Sequence, residues 1–210
     1  MNPQIIKIDP IQPEPEIIAE AAAVIKRGGV IAFPTRCLYG LGADAFNPDA
    51  VERMIQIKQR PGHKPILVLI DTRSRLESLV THIPPAADAI MEAFWPGRVT
   101  LVFEARNMLA VQLTAQTGKI GVRLPGHPTA SALLKHVKGP VTGTSANLSG
   151  RPGCHRAKDL GPQISGHLDF IMDAGTLTGG VGSTVVDVTV DPPRILREGQ
   201  VTANDILTKI

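Results

Sequence analysis

Three short stretches of this 210-residue chain carry side chains able to do chemistry. In "KQRPGHKP" (58–65), Lys58, Arg60 and Lys64 lie close together, and Pro61 and Pro65 keep the segment from forming a continuous helix. A Pro-bounded cluster of cations can cup phosphate oxygens. The same cations also suit the end of a helix, where they offset the macrodipole, and spacing alone leaves both readings open. In "TSANLSG" (144–150), Ser145 and Asn147 are two residues apart, so on extended backbone both leave the same face. A hydroxyl beside an amide can hold a phosphate or ribose oxygen, or can simply close a turn. In "GVRLPGHP" (121–128), Arg123 alternates with Val122 and Leu124 and leaves the sheet opposite them. Its guanidinium can fork onto a carboxylate or sit in a solvent-facing ion pair.

Other chemistries lack their residues. "GLGADA" (40–45) imitates a dinucleotide fingerprint, but no helix follows directly, and the residues about 20 further on include cations rather than the ribose-binding acid. These glycines read as turn residues. There is no GxxxxGK[ST], no HExxH and no G-x-S-x-G, and the six histidines are scattered, so P-loop, zinc and serine-nucleophile readings all fail.

The elements that must position these residues follow from periodicity and punctuation. Residues 15–29 read as an amphipathic helix stopped by Gly28 and Gly29. "VIAFPT" (30–35) is a buried strand. Asn47 as N-cap and Pro48 at the first position open a helix through residue 60. Residues 84–95 and 128–137 read as helices, and 201–210 as a closing one. Strands are expected at 66–70, 99–105, 120–125, 168–175, 183–190 and 194–199, with a short one near 140 leading into the small-residue loop. The irregular mixture of helices and strands predicts an α/β chain: one domain over 1–210, a mixed parallel/antiparallel sheet and packed helices.

Composition bounds the partners. Hydrophobic residues make up 43% and charged residues 20%, enough for a core without staples. Aromatics are only 3%, which disfavours a base-stacking surface for single-stranded RNA. A net charge of +3 suits an anionic ligand without demanding one. Cys37 and Cys154 stand far apart with no CxxC, and neither a signal core nor a membrane span is seen, so a cytosolic protein is expected.

Taken in order, "FPTRCLYGLGADA", "KQRP..KP", "GVRLPGHP", "TSANLSGRP", "GSTVVDVT" and "ILREG" resemble the YrdC-like family, with its YrdC, YwlC and YciO subgroups, over about residues 17–200. The family's K-x-R and S-x-N signatures are present as Lys58/Arg60 and Ser145/Asn147. The resemblance implies a twisted mixed sheet enclosing a basic cavity. It implies synthesis of threonylcarbamoyl-AMP from L-threonine, bicarbonate and ATP, with release of pyrophosphate, Mg²⁺ arriving on the ATP, and no other metal site. Downstream proteins would then modify tRNA. Carried over by position, Lys58 and Arg60 would act on the phosphates, joined around ATP by Lys119, Ser145, Asn147 and Arg197. Thr35, Lys64, Arg123, Gly143 and Ser183 would surround threonine. Arg36 and Gly153 depart from the residues usual in the family. Two other classes stay open: a module that binds double-stranded RNA or tRNA, or is otherwise associated with translation, without chemistry, and a YciO-type paralogue lacking synthase activity.

Overall fold

The computed structural model describes residues 3–107 and 109–210. In chain order the strands are β1 (Gln4–Lys7), β2 (Ile31–Pro34), β3 (Tyr39–Gly42), β4 (Val68–Leu69), β5 (Val99–Glu104), β6 (Lys119–Arg123), β7 (Val141–Thr142), β8 (Thr144–Ser145), β9 (Phe170–Asp173), β10 (Thr184–Asp187) and β11 (Arg194–Arg197). The helices are α1 (Pro15–Lys26), α2 (Pro48–Lys58), α3 (Pro85–Phe94), α4 (Val111–Thr114), α5 (Pro128–Val137), α6 (Pro162–Ser165) and α7 (Ala203–Leu207).

The strands form two mixed sheets. One has the order β1-β9-β2-β3-β8, the other β11-β10-β5-β6-β4-β7. The chain passes between them inside one short segment: β7 pairs with β4 in the six-stranded sheet, and β8, after Gly143 alone, pairs with β3 in the five-stranded one. Gly143 is required there. A Cβ on it would lie 2.6 Å from the Leu69 side chain and 2.7 Å from that of Leu67.

Helices seal the outer faces. In α1 the apolar stripe Ile18, Ala21, Ala22, Val24 and Ile25 is buried, in one cluster with Ala130, Leu133 and Leu134 of α5 and with Phe33 and Phe170 of the sheet. Helix α2 begins as its sequence predicts: the Asn47 carboxamide oxygen accepts from the Asp49 and Ala50 amides. It ends on Gln59 in the left-handed region (φ 49°), where the Arg60 amide donates to the Ile55 carbonyl. That ending turns the chain so that Lys58 stays on the helix while Arg60 leaves it.

Several expectations differ in detail. Gly40 and Gly42 lie in strand β3 rather than in a turn, because the sheet surface above them is filled: a Cβ on Gly42 would meet the Phe33 ring at 2.9 Å. The run at 66–70 is paired as a strand only at Val68–Leu69, since the Ile66 amide bonds outside the ladder to the Leu113 carbonyl. The closing helix is shorter than 201–210, starting at a capping box between Thr202 and Asp205.

Tyr39 ties β3 to the end of β9. It is fully buried; its hydroxyl donates to the Gly175 carbonyl at 2.9 Å and accepts from the Ala174 amide at 2.9 Å. Burial pushes this phenol up to about 12, so it stays protonated and able to donate. Tyr39→Phe keeps the ring but strands two backbone groups, which should cost about 1–3 kcal/mol in urea unfolding. A loss below ~0.5 kcal/mol would mean that water takes over both bonds.

Candidate functional site

Between the two sheets lies a cavity of about 680 Å³. The five-stranded sheet contributes Phe33, Tyr39 and Gly40 to its wall, and the β2–β3 turn contributes Thr35. The six-stranded sheet contributes Thr100, Val102, Lys119, Gly121, Arg123 and residues of β10 and β11. Gly143, Thr144 and Ser145 line the seam where the chain crosses between sheets. Five cationic residues line the cavity, Arg60, Lys119, Arg123, Arg194 and Arg197, against one carboxylate, Asp187.

Asp187 is already committed. Its carboxylate accepts from the Thr189 hydroxyl at 2.6 Å and pairs with the Lys119 ammonium at 3.2 Å. Burial pushes this carboxyl up, but bonds from Thr189 and Lys119 outweigh that and hold it below its usual value. It therefore stays ionised, anchors Lys119 and lies 3.9 Å from the Arg194 guanidinium, while among the described residues Arg60, Arg123 and Arg197 have no carboxylate within ion-pair distance.

Arg123 sits where strand alternation predicts, opposite the buried Val122. Its Nε is buried and has no hydrogen-bond partner among the described residues. Burial, with the Arg197 charge nearby, pushes its guanidinium down to about 10, still protonated at neutral pH. Arg197 reaches back to donate to the Ser183 carbonyl at 2.7 Å, and the buried Ser183 hydroxyl is 2.8 Å from that of Thr100. Thr35 donates its hydroxyl to the Leu38 carbonyl at 2.6 Å and thereby closes the β2–β3 turn.

The K-x-R pair divides its work. Arg60 borders the cavity, while its Nε and Nη2 donate to the Lys64 and Pro65 carbonyls at 3.0 and 2.6 Å. Three of its five N–H groups remain free of those two bonds. Burial lowers its pKa. Lys58 does not line the cavity. It is 1% exposed, and its Nζ donates to the carbonyls of Ser145 at 2.5 Å and Asn147 at 2.8 Å. Burial first, then the Arg60 charge, pushes its amine down to about 7. A neutral amine has two N–H groups, enough for both carbonyls, so this joint survives deprotonation.

Of the residues proposed from sequence, Thr35, Arg60, Lys119, Arg123, Gly143, Ser145, Ser183 and Arg197 meet at this cavity. Lys58, Lys64 and Asn147 are not in its wall. Lys64 is exposed on the loop that Arg60 holds, and the Asn147 amide is turned to the Leu148 and Arg151 carbonyls. Sequence reasoning missed Tyr39, Thr100, Arg194 and the Asp187–Thr189 pair. The last had a signal: Asp and Thr two apart in "VVDVT" share a strand face just as Ser145 and Asn147 do.

The chain as a whole is similar to known proteins. The Sua5/YciO/YrdC family, described as telomere recombination, matches residues 23–199, and the chain belongs to it. The threonylcarbamoyl-AMP synthase of Bacillus subtilis is 39% identical over 190 residues, covering 90% of this chain and 55% of the relative. A structure of Pyrococcus abyssi Sua5 complexed with L-threonine superposes with a TM-score of 0.93 at 35% identity, covering 98% of this chain and 60% of that one. Escherichia coli YciO superposes with a TM-score of 0.88 at 28% identity, covering 97% and 99%. The chain thus spans about half the length of the first two curated relatives it matches. No helix among the described residues is long and apolar enough to cross a membrane.

The Lys58 joint has a pH signature. Its amine titrates near 10.5 in the unfolded chain and near 7 in the fold. Between those values the unfolded chain binds a proton the fold has released, so this group's contribution to stability rises with pH. Urea unfolding should therefore show the wild type gaining stability relative to Lys58→Met as pH rises from about 7 to about 10. Parallel curves for the two proteins would show that the amine is not desolvated.

Proposed function

We propose that this chain is a nucleotidyl-transfer enzyme that makes threonylcarbamoyl-AMP from L-threonine, bicarbonate and ATP and releases pyrophosphate. The observation that carries the reading is the charge of the cavity: five cationic residues border it, and its one carboxylate is already taken by Lys119 and Thr189. Such a wall suits polyanionic and carboxylate ligands together, and a volume of about 680 Å³ is large enough for both. The L-threonine held by the Pyrococcus relative supports the amino-acid half.

In this reading the carboxylate of N-carboxy-threonine attacks the α-phosphorus of ATP and the bond to pyrophosphate breaks. No protein nucleophile is needed. Negative charge grows on the departing phosphates, and fixed cations stabilise it as it develops. Arg60, with Lys119 and Arg197, would supply that charge. Lys58 would act through the backbone, holding Ser145 and Asn147 on the nucleotide side. Arg123 would grip the threonine carboxylate, with Thr35, Gly143 and Ser183 around it and Lys64 on the loop that Arg60 holds. Mg²⁺ would arrive with the triphosphate. Transfer of the product's threonylcarbamoyl group to tRNA would fall to other cytoplasmic proteins.

The direct experiment measures pyrophosphate release with ATP, threonine and bicarbonate, leaving out each in turn. Release should require all three; release without threonine would overturn the proposal. Arg60→Ala should slow it by roughly 10²–10³, as expected for removing one group that stabilises developing charge. Near-normal turnover in that variant would return Arg60 to the role of loop anchor. Arg123→Lys keeps the charge but loses the fork, and should weaken threonine binding by about 1.5–3 kcal/mol in calorimetric titration, with ATP binding little changed. The opposite pattern would put Arg123 on the phosphates.

A further inference from the structure

Thr100 and Ser183 face the main cavity as a pair of hydroxyls. Thr100 is 1% exposed and Ser183 4%, and their oxygens lie 2.8 Å apart. Each hydroxyl carries one proton, and the pair shares one bond. Among the described residues neither oxygen has another partner, so one of the two protons has no acceptor in the protein. A buried hydroxyl proton left over at a cavity wall is a donor kept for a ligand.

The sheet fixes what surrounds the pair. Leu101 of β5 is opposite Val122 of β6. Thr100, one position before Leu101, and Arg123, one position after Val122, are therefore neighbours on the face that lines the cavity. On its other side Thr100 is in register with Val185 of β10, two residues after Ser183. Threonine is branched at Cβ, and the methyl group of Thr100 lies over Gly121: a Cβ on that glycine would meet it at 3.3 Å. With the methyl seated on the β6 side, the hydroxyl is turned toward β10 and Ser183.

Ser183 needs that hold. Its backbone is already fixed, since its carbonyl accepts from Arg197 at 2.7 Å and a Cβ on Gly199 would lie 2.6 Å from its carbonyl carbon. Its side chain is not. Serine has no branch at Cβ, and among the described residues Thr100 makes the one bond to its hydroxyl. The charge of Arg123 draws a ligand's negative oxygen to this wall. That oxygen accepts the Ser183 proton, Thr100 then donates to Ser183, and each bond of the chain strengthens the next.

We propose that Thr100 is a positioning residue: it holds the Ser183 hydroxyl as a donor aimed at an oxygen of the amino acid bound beside Arg123. This rests on the reading that threonine occupies that end of the cavity.

The test is calorimetric titration of the whole chain with L-threonine and, separately, with ATP, together with urea unfolding of each variant. Thr100→Val keeps the shape and removes the hydroxyl; Thr100→Ser keeps the hydroxyl and removes the methyl. Thr100→Val should raise the dissociation constant for threonine about five- to tenfold, as for losing one hydrogen bond. Thr100→Ser should stay within about twofold of the wild type. Stability should rank the other way: the methyl-sized gap over Gly121 should put the urea midpoint of Thr100→Ser below that of Thr100→Val. ATP binding should change less than about twofold in both. Added to Ser183→Ala, Thr100→Val should cause no further loss, because the hydroxyl it acts through is gone. Threonine affinity that follows the stability ranking, with Thr100→Ser the weaker binder, overturns the proposal and leaves Thr100 a packing residue. So do wild-type affinity in Thr100→Val and additive losses in the double variant. If the wild type binds threonine but releases no pyrophosphate, the synthase reading falls, and the crossed ranking still upholds the role of Thr100. If pyrophosphate release is normal and Thr100→Val binds threonine as the wild type does, the reading stands and the proposal falls. A wild type that binds no threonine overturns both.

Discussion

One ammonium group holds the site in register. Lys58 belongs to α2, while the carbonyls it binds belong to residues 87 and 89 positions later in the chain, at the seam between the two sheets. Ser145 is the last residue of β8, and Asn147 lies just beyond it, where the ladder with β3 ends. The Lys58 head bonds both carbonyls from outside the two sheets. Lysine does this with a long apolar stem and a compact head that makes two bonds at once. The cost is desolvation of a cation, which the drop of its pKa to about 7 expresses. Once this joint is made, Ser145 faces the cavity, and Arg60, two residues beyond Lys58, borders it as well.

The cavity wall follows the same logic of incomplete compensation. A folded chain ordinarily pairs its buried charges. Here Lys119 is paired with Asp187, but among the described residues Arg123 is enclosed by β6 and its neighbours without a carboxylate, and its Nε lacks any partner. Packing around the site supports that arrangement: Val122, Leu101 and Val68 lie side by side across three strands beneath it. The apolar face of the sheet supplies stability while the opposite face carries uncompensated charge. This division is possible because strand side chains alternate, so one register fixes both faces.

Much of this was legible in the sequence. Alternation in "GVRLP" placed Arg123 on the right face, and Asn47-Pro48 marked the start of α2. The two-residue spacing of Ser145 and Asn147 identified the loop but not its orientation, because Asn147 turns to carbonyls of its own loop. Lys58 was readable as the end of a helix or as an anion ligand. Its actual partners are backbone carbonyls, which carry no sequence signal. Strand β1 was invisible for a related reason. Its residues are largely exposed, so no burial pattern marks it, and it exists only because β9 offers an open edge. Strand β3 was hidden by its glycines, whose bare surface makes room for the Phe33 ring.

The parallel pairing of β1 with β9 joins Gln4 to Phe170, residues far apart in the chain. Strand β10 likewise pairs in parallel with β5, which lies far before it in sequence. Contacts of such long separation are slow to form, since loop entropy must be lost before they stabilise anything. The cavity draws its wall from β2 at one end of the sequence and β11 at the other. A chain emerging during synthesis therefore has no complete anion-binding wall until β11 has been made. Its cations stay dispersed in water until then, and the charge that defines the site is concentrated only once the two sheets have closed on each other.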